Sequence, residues 1–98
     1  MPAAVALIGF DPAVHAVLEA LLADAGYAVA PDGRADVAPV QAGVRFAARP
    51  VVEALAATPV VLLSTAPVEH APANVRAVVA MPFDADGLLA AVARALAG

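Results

Sequence analysis

Three runs constrain the fold of this 98-residue chain more than any other feature: "AAVALI" at Ala3–Ile8, "PVVLLS" at Pro59–Ser64 and "VRAVVA" at Val75–Ala80. Apart from Arg76 they are apolar almost throughout, with no alternation of polar and apolar positions. A strand wetted on one face alternates. A strand covered on both faces does not, and that double cover belongs to a parallel sheet held between helix layers. Helical signals separate the runs. Asp11-Pro12 places an N-cap before a first-turn proline. Val14, Val17, Leu18, Leu21 and Leu22 then recur at i, i+3, i+4, i+7 and i+8, which predicts a helix with one buried face over Pro12–Ala25. His15, Glu19 and Asp24 fall off that stripe, and Gly26 supplies the stop. Tyr27–Ala30 reads as a short second strand. Asp84 caps a last helix, Ala85–Ala97, with Leu88, Leu89, Val92 and Leu96 inward. Strands alternating with helices make the class α/β, and the length suits one domain, 1–98.

The middle of the chain admits two readings. In one, Asp36–Val40 is the third strand. Pro39 then removes a donor from a central strand, which is disfavoured, and the crossover from Ala30 has only a few residues where a parallel connection requires a dozen or more. In the other, preferred on those grounds, Asp36–Ala42 is a short, weak helix ended by Gly43, and Val44–Ala48 is the third strand. Arg49-Pro50 opens a helix through Ala57 in both.

Composition narrows the function classes. The chain is 63% hydrophobic and 14% charged, with a net charge of −4. Its basic residues, Arg34, Arg45, Arg49, Arg76 and Arg94, are scattered, whereas nucleic-acid binding needs clustered cations. No nucleic-acid partner is expected. There is no cysteine, hence no thiolate nucleophile or thiolate metal site. The longest charge-free stretch, Ala54–Val68, falls short of the roughly 20 residues of a spanning helix and contains Pro59 and Pro67, so no membrane partner is expected either. The N-terminus lacks the basic start of a signal peptide, and a cytoplasmic location is the expectation. No G-x-G-x-x-G motif points to a dinucleotide, and no cofactor is expected.

Four stretches resemble the response-regulator receiver family. "VALIGFDPAV" is similar to its first strand and helix start, and "LEALLADAGYAVAPDG" to the end of that helix, the turn and the second strand. "TPVVLLSTA" resembles the fourth strand with its switch hydroxyl, and "VVAMPFDADGLLAAV" the fifth strand, the Lys-Pro-Phe motif and the last helix. The resemblance implies a flavodoxin-like (CheY-like) three-layer sandwich with parallel strand order 2-1-3-4-5. One or two helices would be shortened, because the chain is shorter than the usual receiver between the second strand and the last helix. It also implies a cis bond at Met81-Pro82, with Phe83 buried beyond it.

Receiver chemistry is phosphoryl transfer onto an Asp, supported by an acidic pair that holds Mg²⁺, a hydroxyl and a Lys. Carried over, the acidic pair falls on Gly9 and Phe10, which offer no side-chain oxygen. Asp11 remains and reads first as an N-cap. The Lys falls on Met81, before Pro82. The hydroxyl survives as Ser64, with Thr65 beside it. No Asp lies between Asp36 and Asp84, so the acceptor falls on Gln41 in one reading of the middle and on Ala48 or Arg49 in the other. These losses make the chain a degenerate pseudo-receiver without a phosphoacceptor Asp. The expected role is a signalling module acting through protein contact without phosphorylation, and not an enzyme. The alternative is a small-ligand sensor on the crest of Ser64, Thr65, Glu69 and His70, at the strand ends where open α/β sheets bind ligands. His15 and Glu19, one helical turn apart, read as a solvated face and not as a metal pair. One sheet face looks thinly covered: Pro39 interrupts its first segment, Ala66–Asn74 carries Pro67 and Pro72, and only Pro50–Ala57 is strongly helical. A protein partner or a homodimer is expected to cover it.

Overall fold

The computed structural model of the chain describes residues 3–29, 35–42, 48–55, 57–65 and 72–97. In chain order they form β1 (Ala4–Val5), α1 (Pro12–Asp24), β2 (Ala28–Val29), β3 (Ala38–Ala42), α2 (Ala48–Leu55), β4 (Val60–Ser64), β5 (Val75–Ala80) and α3 (Ala85–Ala97). All pairings are parallel: β1 with β2, β3 with β4, and β4 with β5. Bridges at Val5–Val37 and Ile8–Val40 join β1 to β3, and the strand order is therefore 2-1-3-4-5. The expected α/β sandwich is present, with three helices among the described residues.

β4 lies at the centre, and all five of its residues are buried. Val61 and Leu63 face one side, where they meet Val5, Val37, Leu18 and Leu22 of α1, and Leu88, Ala91, Val92 and Ala95 of α3. Val60 and Leu62 face the other side with Ala6, Ala38, Val40 and Val52 of α2. The helix ends are held as their sequences dictate. Asp11 Oδ1 accepts from the Val14 amide at 3.0 Å, and Asp84 Oδ1 accepts from the Gly87 amide at 3.1 Å. Gly26, at φ +95°, takes the left-handed turn after α1. Asn74 fastens α2 to the sheet: its Nδ2 donates to the Val52 and Thr58 carbonyls at 2.9 and 3.3 Å, and its own carbonyl accepts from Val60 at 2.8 Å.

The third strand is Ala38–Ala42, which overturns the preferred reading of a weak helix at Asp36–Ala42 followed by a strand at Val44–Ala48. Ala48 instead opens α2, and 43–47 lie outside the described residues. Pro39 is tolerated because successive residues of a parallel strand address opposite neighbours. Ala38 donates to the Pro59 carbonyl, on the β4 side, at 2.9 Å. On the β1 side Val37 donates to Ala4 at 3.3 Å and Gln41 to Ile8 at 3.0 Å. Pro39 falls between those two donors, facing the Ala6 carbonyl. Its missing N–H thins the β1–β3 ladder to isolated bridges and leaves the β3–β4 ladder whole. Its carbonyl still accepts from Ile8 at 3.1 Å.

The short crossover is tolerated for a geometric reason. Val29, Val5 and Val37 stand in one row across the sheet. The connection from β2 to β3 therefore has to bridge only two strand spacings, about 10 Å. The seven intervening residues could reach about 27 Å if extended. Asp36 reinforces the junction, its Oδ2 accepting from the Ala4 amide at 2.8 Å.

Two apolar positions depart from expectation. Val17, placed on the inward stripe of the first helix, is 62% exposed, because it lies about 100° round α1 from the buried Leu18. Val78, in a run expected to be covered on both faces, is 50% exposed. Its row partner Leu62 is buried, so this face is closed over β3 and β4 and opens at the edge strand β5.

A Leu63→Ala variant is expected to lose about 2–5 kcal/mol of stability in urea unfolding, whereas Val17→Ala should stay within about 0.5 kcal/mol. Comparable losses at the two sites would contradict the burial described. A Pro39→Val variant gains an amide aimed at the Ala6 carbonyl. That amide should show slow hydrogen exchange by NMR, and fast exchange would place residue 39 outside the ladder.

Candidate functional site

The register brings the sequence-predicted positions to one edge of the sheet. Ile8, Val40, Leu62 and Val78 form a row. One residue further stand Gly9, Gln41, Leu63 and Val79, and one further again Phe10, Ala42, Ser64 and Ala80. Met81 follows directly, its amide donating to the Ser64 carbonyl at 2.9 Å. Gly9, Phe10, Asp11, Gln41, Ser64, Thr65, Met81 and Pro82 thus share the crest formed by the C-terminal ends of β1, β3, β4 and β5. Glu69 and His70, the other half of the expected ligand crest, lie outside the described residues.

The crest is poor in charge. Gly9 is exposed and takes φ +83°, a left-handed conformation that any residue with a Cβ adopts only at a cost. Phe10 and Met81 are half-buried and pack on the core between the sheet, α1 and α3. Both turn apolar bulk toward the interior, where charged side chains would require partners. Asp11 is exposed, and its Oδ1 serves the Val14 amide. Ser64 is buried at the end of β4, and Thr65 is exposed. No buried side-chain polar atom among the described residues lacks a hydrogen-bond partner. The Met81-Pro82 bond is cis, as expected. Phe83 is half-buried against the same core, less enclosed than expected.

With β3 at Ala38–Ala42, Gln41 is the next-to-last residue of the third strand and Ala42 the last. Gln41 is half-buried, its amide donating to the carbonyl of Ile8, beyond β1, and its neighbour on the other side being Leu63 of β4. Ala48 and Arg49, the alternatives, belong to α2. His15 Nδ1 lies 3.7 Å from Glu19 Oε2, and both side chains are exposed beyond a third of their surface. Among the described residues no three His, Asp or Glu side chains gather where they could hold a metal ion.

No protein-family model matches the sequence, and no curated protein is significantly similar to it. Solved structures are similar in fold. The chemotaxis response regulator CheY4 of Vibrio cholerae superposes with a TM-score of 0.80 at 19% identity, over 98% of this chain and 100% of that one. The receiver domain of the sensor histidine kinase PA1611 from Pseudomonas aeruginosa, with a magnesium ion in its active-site cleft, gives 0.79 at 17% identity over the whole of both chains. A response regulator receiver protein from Sinorhizobium medicae gives 0.70 at 17% identity, over 99% of this chain and 96% of that one. The chain has the CheY-like receiver fold.

The described residues of this crest do not fit the Mg²⁺ ion that this fold family implies. Such a cation takes carboxylate oxygens at near-octahedral geometry. Of the described strand-end residues Ile8–Asp11, Gln41–Ala42, Ser64–Thr65 and Ala80–Pro82, only Asp11 has a carboxylate, and one of its oxygens is engaged in capping α1.

Gly9→Asp returns a carboxylate to the crest at a position whose backbone disfavours it. The variant is expected to be less stable by about 1–2 kcal/mol and to show no rise in melting temperature with millimolar Mg²⁺. A Mg²⁺-dependent rise would mean that a single carboxylate completes a cation site here.

Proposed function

We propose that this chain is a receiver-like signalling module that works by protein–protein contact and not by phosphoryl transfer, a pseudo-receiver without enzymatic activity. The observation that carries this reading is Gln41, next to last in β3, the position on which the resemblance to receivers puts the acceptor carboxylate. An amide cannot form an acyl phosphate. The apparatus around it is absent in the same sense: Gly9 and Phe10 stand for the acidic pair, and Met81 for the Lys. Ser64 alone keeps its family type. Of the crest that the ligand-sensing alternative uses, Ser64 is buried, Thr65 is exposed, and Glu69 and His70 lie outside the described residues. No helix among the described residues is long and apolar enough to cross a membrane, and a cytoplasmic setting is part of the proposal.

The contact surface fits the open side of β5. Val78 is half-exposed there, with Arg76 and Ala80 also exposed along the same edge strand. Covering an exposed valine is favourable by roughly 1 kcal/mol, too little to hold a partner alone. A second copy or another protein would have to cover the neighbouring surface as well.

Incubation with acetyl phosphate and Mg²⁺, followed by intact-mass measurement, should give no covalent phosphoryl adduct. An adduct on any carboxylate would overturn the reading. For the contact surface, sedimentation of the wild-type chain at high micromolar concentration is expected to reveal a dimer, which Val78→Asp should weaken at least tenfold while leaving the monomer folded. A wild-type monomer would exclude the homodimer, and an unchanged dimer in the variant would move the contact away from β5.

A further inference from the structure

We draw no further inference here: the strongest candidate, the outward stripe of α1 on which Val17 stands 62% exposed among Ala13, Ala16 and Ala20, carries nothing because nothing in the structure shows what covers it.

Discussion

The burial of β4 on both faces is the constraint from which the rest of the architecture follows. Val61 and Leu63 need α1 and α3, and Val60 and Leu62 need α2. Each such side chain contributes about 1.5–3 kcal/mol when fully buried, so neither helix layer can be dispensed with. A strand of this kind must also stay within the sheet, with partners for its backbone on both edges, as β3 and β5 provide. Double burial accounts for only part of the apolar content, since Ala13, Ala16, Val17 and Ala20 are exposed on α1.

Much of this was legible from residue order. Unalternating runs located β1, β4 and β5, caps and spacing located α1 and α3, and the class followed; the strand order came from the resemblance to receivers. The third strand was misplaced because two sound rules were applied without the geometry that limits them. A proline deprives a strand of one donor toward one neighbour, and sequence does not say which neighbour. Here it faces β1, and the ladder to β4 stays whole. The length rule for crossovers likewise assumes a return along the full sheet, and the alignment of Val29 with Val37 removes that requirement. Val17 and Val78 show a further limit. Residue type reports affinity for the interior, but exposure depends on position, at the flank of a helix or the edge of a sheet.

The site was legible where chemistry alone decides. Gly9, Phe10 and Met81 lack the groups that phosphoryl transfer requires, and no structure was needed to see it. Gln41 was different. The acceptor position could be narrowed to it only with the third strand placed, because the two candidate strands, Asp36–Val40 and Val44–Ala48, were eight residues apart. The left-handed backbone at Gly9 was also invisible, since glycine permits that conformation without requiring it.

The absent acids and the absent cation belong to one electrostatic argument. A Lys at position 81, half-buried against the core, would find no carboxylate at Gly9, Phe10 or Gln41 among the strand ends, and an unpaired cation in that setting is costly. Acids at 9, 10 and 41 without a cation would repel one another across adjacent strand ends, for the same reason. The intermediate combinations are thus worse than either a complete set or none. With none, Phe10 and Met81 add apolar surface to the core that holds α1 and α3 against the sheet. The strand ends at Phe10 and Met81 then contribute to stability, which agrees with the proposal that they carry no phosphoryl chemistry.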